Sequence, residues 1–337
     1  MRLCVALVAL LLAACATVKT PIATTTFDVP AAGQTAPVGT ANDDAADDPA
    51  IWANRRDPAK SLIVATDKKA GLNVYALDGT LKSSFAAGRV NNVDLRQVGR
   101  RIIVAASDRN DPTNGKIALF ELDTRTAVLK PLAILPVGPG EGYGICLWQP
   151  PSGPLNAFLV MKEGAIFQVE LGIDPQPTAT VVRQMKLATQ SEGCVVDDRT
   201  EQLYVGEEDV GIWRFGARKT DSTEPMSVAK IDGQRLVADV EGLAIAASGR
   251  NGGYLVASSQ GDNAYALFRL PDLSFAGRFR ITTNGPIGGT SETDGIEVTT
   301  ANVPGYPGGI MIAQDGDNAP AAQNFKMIHW ADVTRRR

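Results

Sequence analysis

Polar side chains, most of them acidic or amide, recur along this sequence at nearly constant spacing, each just before a short apolar run. The six markers of the pattern are Asp48, Asn92, Tyr143, Glu192, Glu241 and Asp294, with separations of 44, 51, 49, 49 and 53 residues. Oxygen ligands without histidine nitrogen or cysteine sulfur favour a hard cation, and Ca²⁺ takes about six to eight of them. If the fold brings the markers together, the sequence predicts calcium binding.

The residues after each marker predict how the fold positions it. A strand-like run comes first, then a second strand, a polar loop and a third strand, as in SLIVA–TDKKAG–LNVYAL after Asp48 and GYLVA–SSQGDNA–YALFRL after Glu241. We find no convincing amphipathic helix between Asp48 and Trp330. Six copies of about fifty residues, each a small antiparallel sheet, predict an all-β protein folded as a six-bladed β-propeller.

In a propeller blade the innermost strand starts at one end of the channel, and the second strand returns there. The strand starts and the loops between second and third strands should therefore surround one channel mouth. The strand starts contribute Asp47, Asp48, Asn91, Asn92, Glu141, Tyr143, Glu192, Asp239, Glu241, Glu292 and Asp294. The loops contribute Asp67, Asp108, Glu163, Glu207, Glu208, Asp209, Gln260, Asp262, Asp315 and Asp317. So many carboxylates would repel one another unless cations neutralised them, which favours several Ca²⁺ ions over acids that merely cap turns and face water.

The same mouth is predicted to carry a few cations, all from the loops of the first three repeats. They are Lys68, Lys69, Arg109 and Lys162. Lysine and arginine beside several Ca²⁺ ions suit a polyanionic ligand, phosphate in particular. The alternative is that these cations only pair with neighbouring acids.

Composition excludes several functional classes. The chain has 337 residues, a net charge of −4 and 21% charged residues, which suits a globular protein. We find no basic stripe with interleaved aromatic residues, so we expect no nucleic-acid partner. We expect the protein to be a monomer.

Histidine and cysteine usage narrows the chemistry further. His329 is the one histidine and lies in the strand-like FKMIHW, where it is expected to be a packed strand residue. A histidine phosphatase, a zinc hydrolase or a Ser-His-Asp triad is therefore disfavoured. Cys146 and Cys194 could pair in an exported protein, or they could be two small buried hydrophobic residues.

The N-terminus predicts export. Residues 1–14 combine Arg2 with an apolar stretch too short to span a bilayer, as in a signal peptide. The stretch ends in Leu-Ala-Ala-Cys, which resembles the bacterial lipoprotein box and implies an outer-membrane lipoprotein, periplasmic or on the surface, that touches the membrane only through a lipid on Cys15. Cleavage near Ala16, giving a free secreted protein, is the alternative. Residues 15–40 are predicted to form a flexible tether, and residues 41–337 a single propeller domain.

Several stretches, in continuous order from about residue 43 to residue 330, resemble the β-propeller phytases. They are DDPAIW, TDKKAGLNVY, NNVDLR, EGYG, KEG, SEG, LYVGEEDVGIWRF, DVEGLAI, GYLVASSQGDNAY, TSETDGIEV and QNFKMIHW. The resemblance implies a Ca²⁺-dependent phosphomonoesterase acting on phytate, which is myo-inositol hexakisphosphate. It also implies a hydrolytic site beside a second site that holds another phosphate of the same substrate.

The resemblance also implies roles for individual residues. The ligands of the Ca²⁺ cluster would be Asp48, Tyr143, Glu192, Glu207, Asp239, Glu241, Gln260 and Asp294, to which the strand-start argument adds Asp47. The phosphate-binding edge would comprise Lys68, Lys69, Arg109, Lys162 and Glu163. Asp315 matches a position associated with a more buried, structural Ca²⁺. Two departures from the family put a stabilising calcium site in doubt. Gly288 occupies a position where the family often has aspartate. Family members also tend to have an acidic residue about a dozen positions before DDPAIW, where this chain has Gly33-Gln34-Thr35.

The expected reaction is metal-assisted attack of water on a phosphate monoester, without a covalent enzyme intermediate. The residues expected to take part in catalysis are Tyr143, Glu192, Lys68, Arg109 and Lys162. Glu192 would orient or deprotonate the water, and the cations would stabilise the developing charge. A propeller lactonase is an alternative that fits three cationic loops poorly. A non-catalytic polyanion-binding propeller is a second alternative.

Overall fold

The computed structural model describes residues 25–41 and 43–336, which form six blades. Blade 1 contains β3 (Ala46–Trp52), β4 (Leu62–Asp67), β5 (Gly71–Ala76) and β6 (Leu81–Phe85), and blade 2 contains β7 (Val90–Val98), β8 (Arg101–Asp108), β9 (Asn114–Asp123) and β10 (Val128–Pro139). Blade 3 contains β11 (Gly142–Trp148), β12 (Leu155–Met161), β13 (Ala165–Gly172) and β14 (Thr178–Lys186), and blade 4 contains β15 (Ser191–Asp197), β16 (Gln202–Glu207), β17 (Gly211–Gly216) and β18 (Met226–Lys230). The predicted propeller is confirmed.

The last two blades include strands from the N-terminal segment. Blade 5 contains β19 (Val240–Ser248), β20 (Gly252–Ser259), β21 (Ala264–Leu270) and β22 (Phe275–Thr282), with β1 (Thr26–Pro30) added to its outer edge. Blade 6 contains β23 (Ile296–Thr299), β24 (Ile310–Asp315) and β25 (Asn324–His329), with β2 (Gly33–Gln34) as its outer strand. The short helix α1 (Trp330–Thr334) follows β25. In the described part of the chain, no helix is long and apolar enough to cross a membrane.

The core lies between neighbouring blades because successive side chains of a strand point to opposite faces. In β4, Leu62 and Val64 pack toward blade 2. Ile63 and Ala65 pack on the other face, toward blade 6. A strand that is buried on both faces is mostly apolar, which is why a second strand such as β4 begins with a continuous hydrophobic run.

The segment expected to be a tether differs from that expectation over its described part. β1 pairs in parallel with β22, from Thr26 opposite Arg278 to Pro30 opposite Thr282, and β2 pairs with β25. Val29 is fully buried, because its strand covers the edge of blade 5. The propeller domain therefore begins well before residue 41. The signal peptide and Cys15 lie outside the described residues.

Two further expectations about the body of the chain are resolved. Cys146 and Cys194 form a disulfide, with their Cα atoms 5.7 Å apart, which joins the inner strands of blades 3 and 4. His329 ends β25 and packs on Tyr306, with ring centroids 5.0 Å apart. This histidine is a packed strand residue, as predicted.

Candidate metal and phosphate site at the channel mouth

The start of each inner strand lies beside the end of the second strand of its blade. Ala46 pairs with Asp67, and Ser191 pairs with Glu207. The loops between second and third strands therefore emerge at the same channel mouth as the inner-strand starts, as the repeat predicts.

A β-bulge at the start of the inner strand sets the direction of the acidic side chains. In blades 1 to 5 the register shifts at this point, between Ala46 and Pro49 in the first blade and between Val240 and Leu243 in the fifth. The residues inside the shifts are Asp47, Asp48, Asn91, Asn92, Tyr143, Glu192, Gly193, Glu241 and Gly242. A bulge re-aims side chains that regular pleating would send to alternate faces. Most of the predicted strand-start residues therefore sit on a distorted stretch of backbone at the mouth.

Glycines bring the acidic strand starts of neighbouring blades close together. A Cβ on Gly193 would lie 2.1 Å from the carbonyl oxygen of Glu241, and a Cβ on Gly144 would lie 1.9 Å from that of Glu192. The amide of Gly242 donates to the carbonyl of Asp294 at 2.7 Å. The recurrent acid–glycine pairs of the sequence thus have a physical cause, because any side chain at the glycine would push the next acid away.

Three buried carboxylates form the centre of the acidic cluster. Oxygen atoms of Glu192, Glu208 and Glu241 lie within 4.8 Å of one another. Among the described residues, Glu208 Oε1, Glu241 Oε2 and Asp47 Oδ1 are buried without a hydrogen-bond partner. An uncompensated buried carboxylate is costly. The arrangement therefore fits a metal ion held by oxygen ligands.

The protonation of the metal-free cluster reflects the same crowding. Burial raises the pKa of Glu192 and of Glu241 well above the usual range, and the neighbouring carboxylates raise it further. Burial also raises the pKa of Glu208 to about 7 and that of Asp294, next to Asp47, to about 7. A bound cation would act in the opposite direction, because it stabilises the ionised carboxylates.

Lys68 lies inside the acidic rim rather than apart from it. Its Nζ lies 2.8 Å from Asp44, 3.0 Å from Asp47 and 3.0 Å from Asp294. Asp294 also accepts a hydrogen bond from Gln260 Nε2 at 2.7 Å. Burial alone would lower the pKa of Lys68, but Asp47 and Asp294 raise it above its usual value, so the side chain stays charged. The sequence left open whether the cations at the mouth bind phosphate or pair with neighbouring acids. In this structure Lys68 pairs with neighbouring acids.

A cationic edge adjoins the cluster on the side of blades 2 and 3. The guanidinium of Arg109 lies 4.9 Å from the centroid of the Tyr143 ring, and Nζ of Lys162 lies 5.2 Å from it. Glu141 holds Arg109 through contacts of 2.8 Å to Nε and 2.6 Å to NH2. Burial and nearby Glu192 raise the pKa of Tyr143, so its hydroxyl keeps its proton.

One amide links this cationic edge to the acidic cluster. Asn91 accepts a hydrogen bond from Arg109 and donates one to Glu192 Oε1 at 2.9 Å. Asn91 is buried, and its amide nitrogen also contacts the side chain of Asn92 at 2.8 Å. Sequence reasoning placed Asn91 at the mouth without giving it a role, because only the structure shows that it joins Arg109 to Glu192.

Two predicted metal ligands lie away from the cluster. Glu207 accepts hydrogen bonds from the amide and hydroxyl of Thr189, each at 2.7 Å, and from Trp213 at 2.6 Å. The next residue, Glu208, takes the position at the mouth that was expected for Glu207. Asp315 ends β24 and pairs with Lys326 at 3.1 Å, outside the channel.

The remaining predicted residues lie around the rim. Asp48 accepts a hydrogen bond from the amide of Val93 at 3.0 Å, just inside the channel. Asp239 is half-buried, and burial together with the neighbouring Asp209 raises its pKa. Lys69 contacts Asp43 at 3.5 Å. Glu163 is exposed beside Lys162, at the outer end of the cationic edge.

A family comparison bears directly on this arrangement. The family model described as Phytase matches residues 1–336. The chain belongs to the Phytase family. It is 38% identical over 326 residues to a protein named 3-phytase from Bacillus subtilis (strain 168), and the alignment covers 92% of this chain and 85% of that relative. The predicted resemblance is confirmed.

Solved structures support the fold alone. A chain in the crystal structure of the mitotic checkpoint complex overlaps 93% of this chain and 82% of its own length, with a TM-score of 0.52 and 13% identity. A functionally unknown protein from Desulfotomaculum acetoxidans DSM 771 overlaps 69% of this chain and 71% of its own length, with a TM-score of 0.48 and 15% identity, too weak a likeness to bear on the fold.

Proposed function

We propose that this protein hydrolyses phosphate monoesters of phytate in a calcium-dependent reaction. One observation carries the proposal: buried carboxylate oxygens without partners lie directly beside a tyrosine that is flanked by two cations. The first group can hold metal ions, and the second can hold phosphate. The Phytase family membership and the 3-phytase relative support the same substrate.

The residues best placed to hold calcium are those of the crowded cluster, namely Glu192, Glu208, Glu241, Asp47 and Asp294. Bound calcium would supply the positive charge that draws a phosphate group toward these carboxylates, and it would make nearby water more acidic. Calcium is the preferred ion because the cluster offers oxygen atoms from several crowded carboxylates, and Ca²⁺ takes about six to eight such ligands whereas Mg²⁺ usually binds through one or two carboxylates and keeps its waters. Lys68, which pairs with Asp47 and Asp294 in this structure, would share these two carboxylates with the ion.

Different residues of the chain would bind the substrate and transfer the proton. Arg109 and Lys162 would bind oxygens of the substrate, and Arg109 is already oriented by Glu141 and the Tyr143 ring. Glu192 would accept a proton from the attacking water while the oxygen of that water bonds to phosphorus. The bond from phosphorus to the inositol oxygen breaks, and that oxygen takes up a proton. The products are inorganic phosphate and an inositol with one phosphate fewer.

The lactonase alternative is less favoured by the surroundings of the mouth. A cavity of about 400 Å³ beside Asp294 is lined by polar groups, among them Gln260, Asn263 and Glu292. A lactone ring would call for an apolar pocket. The non-catalytic alternative has the same binding groups, so only an activity measurement separates it from a hydrolase.

The deciding experiment measures phosphate release from sodium phytate near neutral pH. The protein would start after Cys15, which keeps every described residue, and calcium would be added and then removed with EGTA. We expect release that rises with calcium, stops with EGTA and is abolished by Glu192→Gln. If a folded protein released no phosphate at any calcium level, the proposal would be wrong, and a polyanion-binding propeller would replace it.

We further propose that the protein is exported and anchored by a lipid on Cys15. The apolar stretch ahead of Leu-Ala-Ala-Cys supports this proposal. Labelling of the wild-type protein with radioactive palmitate, but not of Cys15→Ala, is the expected result. Unlabelled wild-type protein in the culture medium would favour simple secretion instead.

A further inference from the structure

A second cluster of buried polar groups lies where the N-terminal segment meets blade 6. Asp315 ends β24 there, and its carboxylate is almost fully buried. Lys326 belongs to the neighbouring strand β25 and is 1% exposed. The family resemblance implies a structural Ca²⁺ at Asp315, so the surroundings of this carboxylate decide whether a metal ion fits.

The ammonium of Lys326 is surrounded by oxygen atoms from three different parts of the chain. It lies 3.1 Å from Asp315 Oδ2, and it donates to Gln34 Oε1 and to Asn318 Oδ1, each at 2.8 Å. Gln34 belongs to β2, while Asn318 lies in the loop between β24 and β25. An ammonium has three donors, and each of these three contacts can use one of them.

The side-chain oxygens of Asp315, Gln34 and Asn318 that face this position are therefore already in use. They leave only a neutral amide oxygen, Asn324 Oδ1 on the adjacent strand, which is buried without a hydrogen-bond partner among the described residues. The other Asp315 oxygen, Oδ1, accepts hydrogen bonds from the amides of Ser291 at 3.1 Å and Asp317 at 3.3 Å. Gly288 lines the same cavity as Asp315 and Lys326, but it has no side chain that could bind an ion. The side chain of Asp317 is exposed. A divalent ion among these atoms would also lie next to a fixed positive charge. The residues present do not fit a metal ion.

We propose that Lys326 supplies the cation of this cluster, in place of a metal ion, and fastens strand β2 to blade 6. Because β2 forms the outer strand of that blade, the contact from Lys326 to Gln34 ties the start of the propeller to its end. This part of the ring closure would then not depend on calcium. Calcium would act at the channel mouth, where the chain leaves carboxylate oxygens unpartnered.

The first test counts bound calcium in the folded protein. Wild type, Asp315→Asn and Glu241→Gln would be equilibrated with calcium, separated from free ion and analysed by elemental mass spectrometry. We expect Asp315→Asn to bind as many ions as wild type, and Glu241→Gln to bind fewer. If Asp315→Asn bound one ion fewer than wild type, a metal site at Asp315 would be established and the proposal overturned.

The second test removes the ammonium. Lys326→Met keeps most of the unbranched apolar stem of the side chain but leaves Asp315 buried without its cation, so the unfolding midpoint should fall by about 5 °C or more. The fall should be the same in calcium and in EGTA. A midpoint equal to that of wild type in both conditions would contradict the proposal.

A third measurement needs no variant, in case either substitution prevents folding. Wild-type crystals grown with calcium would be measured for anomalous scattering. Strong peaks at the channel mouth and none between Asp315 and Asn318 would support the proposal. A calcium peak between these two residues would overturn it.

Discussion

The channel mouth and the Asp315–Lys326 cluster are built from similar parts but differ in charge balance. Both include a buried carboxylate at or just beyond the end of a second strand, Glu208 at the mouth and Asp315 in blade 6. At the mouth, one oxygen each of Asp47, Glu208 and Glu241 has no hydrogen-bond partner among the described residues, although Lys68 pairs with the other oxygen of Asp47. At blade 6, both oxygens of Asp315 are satisfied, one of them by an ammonium. The comparison indicates that the buried carboxylates best placed to take an ion from solution are those that keep an oxygen the chain does not pair.

The largest effect is expected from substituting two adjacent glutamates, Glu207 and Glu208, which differ in their contacts. Glu208→Gln should lower the calcium-dependent rate of phosphate release by about 100-fold or more, because it removes a charge from the three-carboxylate cluster. Its unfolding midpoint in EGTA should fall little, since one oxygen of Glu208 is buried without a hydrogen-bond partner and only the other accepts a hydrogen bond, from Gln190. Kinetics and thermal unfolding on the same samples would show both effects.

Glu207→Gln is the matched control for that variant. Glu207 has partners for both oxygens, in Thr189 and Trp213. Losing these charge-assisted hydrogen bonds should cost about 1.5–3 kcal/mol of stability, with little change in the calcium concentration needed for half activity. The reverse result, with Glu207→Gln losing its calcium response and Glu208→Gln keeping it, would refute the assignment.

A smaller effect is expected at the cationic edge. Arg109→Ala should lower kcat/KM by about 100-fold, because a preorganised phosphate contact is removed. Glu141→Gln keeps the guanidinium but weakens the pair that orients it, so we expect about a 10-fold loss, with the calcium requirement unchanged. Equal losses in the two variants would show that Glu141 contributes more than orientation.

The smallest effect concerns pH in the absence of metal. The folded protein holds Glu208 and Asp294 at a pKa of about 7, whereas in an unfolded chain these groups titrate near pH 4. Between these values the folded state binds more protons, so the stability of the metal-free protein falls as pH rises through about 7. In EGTA the unfolding midpoint should therefore drop by about 5 °C between about pH 5 and pH 8.

Calcium should weaken or reverse that slope, because ions and protons compete for the same carboxylates. Thermal unfolding across this pH range, with and without calcium, would check the prediction. A midpoint in EGTA that rises steadily from pH 5 to pH 8 would contradict the raised pKa values of the cluster.

Much of the fold was predictable because its signals are local. The runs SLIVA and LNVYAL correspond to β4 and β5, and the acid–glycine pairs mark the inner-strand starts. The strands β1 and β2 were missed, because they are held by β22 and β25, which lie roughly 250 to 300 residues away along the chain. A short strand at a sheet edge has little pattern of its own.

By itself, the sequence determined the six-bladed architecture, the end of the channel where the acids gather and the phytase resemblance. These follow from repeat spacing, alternation and residue type, which are properties of neighbouring residues. Only the tertiary structure decided which of Glu207 and Glu208 reaches the cluster, because consecutive side chains diverge and their direction depends on the local backbone. It also decided that Asp315 meets Lys326 and that Cys146 meets Cys194. The charge on a residue can be read from the sequence, but the partner that balances that charge depends on chain segments that only folding brings together.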